Sequence, residues 1–227
     1  NKAPLTITAN NATRTYGAAN PAFTASYAGL VNGDTSAVVS GLSLATTATA
    51  GSAVGTYPIT ASGAAAANYN IAYAAGTLTV SQASQTITFS DPGPHTYGNA
   101  AFGLTATATS GLGVTFSVVS GPAAISGSTL TITGAGTVVV AASQAGNANY
   151  SPAPTVNRSF TVNQAPLTIT ANNASKVYGA ANPGFTASYS GWVNGDTPAV
   201  VSGLSLTTTA TTGSGVGTYP ITGSGAS

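Results

Sequence analysis

Apolar and polar residues alternate along this chain in short runs separated by turn residues. Leu5 and Ile7 alternate with Thr6 and Thr8, the period-two signature of a half-buried strand. Asn10-Asn11 and then Gly17 to Pro21 interrupt the run as turn chemistry. Phe23, Ala25 and Tyr27 share the next face, followed by Leu42 with Leu44 and Tyr57 with Ile59. Tyr69, Ile71 and Tyr73 come next, and then Leu78 with Val80. Between them, Asn32-Gly33-Asp34 makes a turn, and Asp34 is placed to cap a short helical turn over Thr35 to Val39. About six short strands with turns between them predict a small antiparallel β module.

The pattern then repeats. Tyr16-Gly17, Tyr97-Gly98 and Tyr178-Gly179 are spaced 81 residues apart, and Asn68-Tyr69 returns at Asn149-Tyr150 with the same interval. A fixed period of this size predicts an array of modules. Their boundaries are placed at residues 1–82, 83–164 and 165–227. Residues 3–65 and 165–227 differ at only 12 of 63 positions. One difference sets Pro198 where Ser36 stands, which suits the first turn of a helix. The middle module keeps the frame with other residues. Ile87 and Phe89 lead to Asp91-Pro92-Gly93-Pro94, followed by Phe102 with Leu104, Val114 with Phe116 and Val118, Leu130 with Ile132, Val138 to Val140, and Phe160 with Val162. The fold class expected is all-β, a tandem array of small antiparallel, immunoglobulin-like β-sandwiches, with a short helical turn in modules one and three. Module three stops before the counterparts of Tyr69–Tyr73 and Leu78–Val80, so its completion is expected from further sequence or from another chain. The junctions Ser81–Gln85 and Asn163–Pro166 are short and free of glycine, which predicts stiff connections.

Composition changes this picture in one respect. Charged residues make up 3% of the 227, with four Lys and Arg against three Asp and no Glu. That excludes a basic footprint for nucleic acid. It also leaves a near-neutral surface that resists association poorly. Cys is absent, which removes disulfide, thiolate and thiol-ligated metal chemistry. No apolar run approaches the length of a membrane-spanning helix, so membrane insertion is not expected.

Few residues suit chemistry. Asp34, Asp91 and Asp196 fall one per module, so no carboxylate pair forms within a module for acid–base work. His95 stands alone in a proline-flanked turn beside Asp91 and reads as a solvated turn histidine. The Asn-Gly-Asp turns are too poor in carboxylates for a calcium site, which wants six to eight oxygens. Neither a catalytic residue, nor a cofactor, nor a metal is expected. The candidates for contact with a ligand or a neighbouring module are aromatic. Tyr16, Tyr97 and Tyr178 precede glycine and are expected to pack a ring over a module end. Trp192 replaces Leu30 of the sister module, a volume change that favours a contact outside a tightly packed core.

Modules one and three resemble the MBG-type repeat, in its Tyr-Gly-X form, of bacterial surface proteins and adhesins. The matching stretches are Leu5-Thr-Ile-Thr-Ala, Tyr16-Gly17, Asn20-Pro21 with Phe23, Val31-Asn-Gly-Asp34, Gly55-Thr-Tyr-Pro-Ile-Thr60 and Asn68-Tyr69. The middle module is similar to bacterial immunoglobulin-like repeats, through Ser110-Gly-Leu-Gly-Val-Thr-Phe116 and Gly146-Asn-Ala-Asn-Tyr150. The resemblance implies a secreted, extracellular or cell-surface location and no catalytic residues. The role it implies is a structural segment of a fibre, sheath or adhesin stalk, with an adhesin module that binds a glycan or a protein as the alternative. The partners expected are copies of the chain, end to end and laterally, and cell-surface polysaccharide.

Overall fold

The computed structural model of the chain describes residues 1–227. Repeat one supplies β1 (Ala3–Ala9), β2 (Ala12–Thr15), β3 (Ala25–Ala28), β4 (Ser43–Ala45), β5 (Gly55–Ser62), β6 (Tyr69–Ala74) and β7 (Gly76–Ser81). They form two sheets, β3-β1-β6 and β2-β7-β5-β4. Alternation decides which side chains go inside. Leu5 and Ile7 are buried with Tyr69, and Leu78, Val80 and Ile59 with Ala9 and Ala48, while the intervening threonines face outward. Each fully buried Leu or Ile contributes roughly 1.5–3 kcal/mol by leaving water. The result is a β-sandwich, as the period-two pattern requires.

Two details differ from the sequence expectation. The sheets are mixed, because β1 runs parallel to β6 and β2 parallel to β7. The chain changes sheets at Asn10-Asn11, so the opening strand contributes a segment to each sheet alongside a late strand of the same direction. Asn11 makes the switch possible: its side-chain oxygen accepts the Thr77 amide at 2.8 Å in place of a ladder partner. Close beside it, Gly76 passes the Ala9 carbonyl with no room for a Cβ. The second difference concerns the helical turn, a 3₁₀ turn at Ser36–Val38. Its cap is Thr35, whose side chain accepts from the Ala37 amide. Asp34 does not cap it; its carboxylate is taken by Tyr69. The matching turn at Pro198–Val200 has Pro at its start, as expected.

The middle repeat contains β8 (Ile87–Phe89), β9 (His95–Thr96), β10 (Phe102–Gly103), β11 (Ala106–Ala108), β12 (Thr115–Ser120), β13 (Ala123–Ser126), β14 (Thr129–Ile132), β15 (Gly136–Ser143) and β16 (Val156–Asn163). Its sheets are β11-β8, β10-β14-β13 and β12-β15-β16-β9, with β9 parallel to β16. Repeat three contributes β17 (Thr168–Ala171), β18 (Ala187–Ser190), β19 (Ser205–Thr208) and β20 (Ile221–Ser224), as the antiparallel pairs β17-β18 and β19-β20.

The chain divides into two compact units. The first is Asn1–Phe89 with Ala106–Thr115 and Ala142–Val156, that is, repeat one and one end of the middle repeat. The second is Ser90–Thr105 with Phe116–Ala141 and Asn157–Ser227, which joins the rest of the middle repeat to repeat three.

Candidate functional site

Each Tyr-Gly turn is built the same way. In repeat one, Tyr16 follows β2 and its amide bonds the Ser81 carbonyl at 2.8 Å. Gly17 then donates to Ala50 at 3.2 Å. In the middle repeat, Tyr97 follows β9 and donates to Asn163 at 2.9 Å. In repeat three, Gly179 donates to Thr212 at 3.2 Å. Two residues before each tyrosine stands a basic residue, Arg14, His95 or Lys176, again 81 apart. Counting back from Tyr-Gly finds all three in the sequence.

Arg14 is buried without a carboxylate. Its Nε donates to Asn20 Oδ1 at 2.8 Å, Nη1 to the Thr15 carbonyl at 3.1 Å and Nη2 to the Thr49 carbonyl. Asn20 in turn donates to Ala48 O at 2.7 Å. Lys176 does the same work with one nitrogen, donating to Ala180 O at 3.0 Å and Thr211 O at 2.5 Å, while Asn182 reaches Ala210 O. His95 is not the solvated turn residue expected. It is half-buried in β9, stacked on Phe102 at 3.9 Å and edge-on to Phe160 at 5.6 Å, with Nε2 3.2 Å from the Pro92 carbonyl. Two phenylalanines replace the carbonyl cage, so a ring replaces the cation.

The tyrosines of the first two turns meet the next repeat. Within the first unit, the Tyr16 ring lies edge-on to Tyr150, 5.4 Å between centroids. Around it, Val54 N donates to Asn149 Oδ1 at 3.1 Å and Gln82 Nε2 to Asn147 O at 2.8 Å. Ala83 makes a two-residue bridge beside Tyr150, through Ala83 N to Asn149 O and Ser151 N to Ala83 O, each 3.0 Å. Gln85, buried, fastens the linker by donating to Gln144 Oε1 at 2.5 Å and Ser151 O at 2.8 Å and accepting from Ser110. Within the second unit, Tyr97 Oη donates to Asp196 Oδ1 at 3.5 Å. Gly98 passes so close to Val193 that a Cβ would sit 2.7–2.9 Å from its side-chain carbons. The backbone there, φ +94°, also favours glycine.

The receiving surface is a preformed turn. Asn194 and Gly195 have φ of 52° and 80°, and Asp196 N closes the turn on Val193 O at 2.9 Å. Repeat one has the same turn, with Asn32 and Gly33 at 58° and 79° and Asp34 N on Val31 O at 3.1 Å. There Asp34 Oδ2 accepts from Tyr69 Oη at 2.7 Å, and the Val31 amide donates to that hydroxyl at 3.1 Å. The Val31 amide bond pulls the Tyr69 pKa down. The Asp34 carboxylate that holds the proton, burial, and the Asp34 charge together outweigh it, and the pKa is raised above its ordinary value.

The remaining candidates differ in setting. Tyr178 is 71% exposed, whereas Tyr16 and Tyr97 are half-buried. Trp192 lies against Tyr189 of its own repeat, 5.3 Å between ring centres. Beside Tyr178 a groove of about 550 Å³ runs between residues 174–178 and 217–221, with Lys176, Tyr219 and Ile221 in its walls and Phe185 lining it as well. It occupies the position that β7 fills in repeat one, between β2 and β5. Each acidic group has a partner: Asp91 accepts the Gly93 amide at 3.0 Å, and Asp34 and Asp196 hold tyrosine hydroxyls. No helix is long and apolar enough to cross a membrane.

A family model, the MBG domain of YGX type, matches residues 5–79 and 167–227. No curated protein matches the chain. Among solved structures, Drosophila N-cadherin EC1-4 is similar at 8% identity and a TM-score of 0.30, over 92% of this chain and 64% of that one. The four N-terminal Ig domains of Dscam1 isoform 4.44 are similar at 13% identity and a TM-score of 0.29, over 95% of this chain and 66% of that one. The chain thus spans just under two thirds of the length of each.

Proposed function

The chain belongs to the MBG domain family of YGX type, whose members occur in surface proteins, and from that premise we propose that it is a structural repeat segment of an extracellular bacterial fibre, sheath or adhesin stalk. Its task is to supply length, stiffness and self-association, with no catalytic role. Each of the three period-defined modules, at residues 1–82, 83–164 and 165–227, is one link. The observation that carries this reading is that the Tyr-Gly markers of the period are themselves contacts between successive repeats, at Tyr16–Tyr150 and at Tyr97–Asp196. A residue pair that fixes one link to the next is what a stiff array needs, and a linker tied down by Gln82, Ala83 and Gln85 supports it.

Small-angle scattering on the 227-residue chain tests the stiffness. Three links of about 35 Å laid end to end give a radius of gyration of about 30 Å, against about 17 Å for a single globule of this length. A value near the globule would overturn the reading. Self-association is tested by raising NaCl from about 0.1 to 1 M, which shortens the screening length from roughly 10 to 3 Å. Contacts made of apolar side chains and hydrogen bonds, without ion pairs, persist, and dissociation into monomers would favour a solitary module. The second reading, a glycan- or protein-binding adhesin module, draws on the Tyr189–Trp192 pair and the exposed Tyr178. Binding to cell-surface polysaccharide that is lost in Trp192→Ala would support it.

A further inference from the structure

The second unit shows one joint in which the Tyr97-Gly98 turn seats on the turn Val193-Asn194-Gly195-Asp196. The chain contains a second Tyr-Gly turn and a second receiving turn of the same kinds, each exposed. The receiving turn is Val31-Asn32-Gly33-Asp34, identical in sequence, with the same left-handed pair and the same closing hydrogen bond. The seating turn is Tyr178-Gly179. Both are exposed in this structure. Val31 is 46% exposed where Val193 is half-buried beneath Gly98, and Tyr178 is 71% exposed where Tyr97 is half-buried.

We propose that Tyr178-Gly179 of one copy of the chain docks on Val31-Asn32-Gly33-Asp34 of a second copy, so that copies join head to tail. This rests on the structural reading above and deepens it by naming the joint. The glycine lets the valine side chain approach the backbone. The tyrosine hydroxyl donates to the aspartate, as Tyr97 does to Asp196. Tyr69 engages one oxygen of Asp34, and the carboxylate has a second to offer. The two surfaces differ, so the contact is heterologous and does not close on itself; it propagates as a filament.

Polarity gives the test. Val31→Arg spoils the receiving turn and Tyr178→Arg the seating turn, both at exposed positions where the fold has no demand on the side chain. Sedimentation velocity with light scattering follows the 227-residue chain as concentration rises. The wild-type chain is expected to grow in steps of 21.8 kDa without a preferred size. Each variant alone is expected to remain at the mass of one chain. Their equimolar mixture, which restores one good joint, is expected to stop at two chains. Variants that associate as the wild type does would overturn this joint and leave self-association through other surfaces standing. A wild-type chain that stays monomeric throughout would overturn self-association as well. A mixture of silent variants that fails to pair would refute the head-to-tail polarity.

Discussion

Arg14 offers the sharpest test of how so weakly charged a module holds together. The side chain is 7% exposed and its three donors go to neutral acceptors, two carbonyls and the Asn20 amide oxygen. Arg14→Met keeps much of the volume and removes all three donors. Each buried acceptor left without a partner costs about 1–3 kcal/mol. Against that, a cation no longer has to be held out of water, a gain of several kcal/mol before relaxation. Water entering from the half-buried side satisfies part of the cage, so the net loss expected is about 2–4 kcal/mol. For a module of some 80 residues, 1 kcal/mol moves the melting point by roughly 4–8 °C, which puts the transition of repeat one about 10–25 °C lower. Arg14→Lys is the informative control, because Lys176 reaches Thr211 O, the counterpart of Thr49 O, and also Ala180 O from one nitrogen. It is expected to lose about 1 kcal/mol. Calorimetry, with hydrogen exchange at the β2 and β7 amides to assign the transition, measures both. Because the acceptors carry no charge, 1 M salt leaves the difference intact. An Arg14→Met transition within about 2 °C of wild type would refute the cage as a source of stability, and a strong salt dependence would show that an anion had been overlooked.

Three further outcomes are expected. Gly76→Val, which sets a side chain against the Ala9 carbonyl, destabilises repeat one by about 3 kcal/mol or more, read as a lower urea midpoint at unchanged slope. A peptide with the sequence of residues 68–81 binds the groove of repeat three as an added strand, raising its thermal transition; replacing the leucine and valine of that peptide with aspartate abolishes the effect. Tyr69, whose folded pKa is raised, contributes stability that is fully present below the ordinary tyrosine value of about 10 and is lost as pH rises through the folded value, so alkaline melts fall more steeply for wild type than for Tyr69→Phe.

What the sequence made legible and what it hid divide along physical lines. Alternation marked β1, β3 to β8, β10, β12, and β14 to β16 because an apolar side chain at every second position leaves one solution. β2 escaped because its inward positions are Ala12 and Arg14, one small and one charged. β9 escaped for the same reason, with His95 turned toward Phe102. In both, an inward polar residue breaks the pattern, and only its partners, 35 residues away for Arg14 and Thr49, explain it. The parallel pairings were illegible too, since a period of two is the same whichever way the neighbour runs. Asp34 shows the limit of local rules: one residue before the helical turn it reads as a cap, yet the hydroxyl of Tyr69 claims it across the module.

The divergence of the middle repeat acquires a meaning from the joints. Repeats one and three are close to copies, yet the first unit and the second unit present their Tyr-Gly contacts to different surfaces. Tyr16 meets the Asn147–Tyr150 loop through a ring contact and amide bonds, whereas Tyr97 meets a tight turn through a hydroxyl and a bare glycine backbone. The seating element is therefore constant and the receiving element is what varies. A single seating element that accepts two receivers lets unlike modules be placed in series without redesigning each junction. It also explains why Tyr-Gly recurs at an unvarying interval while the residues between drift: the interval fixes where one module ends on the next, and a shift of a single residue would turn the tyrosine to the opposite face of its strand.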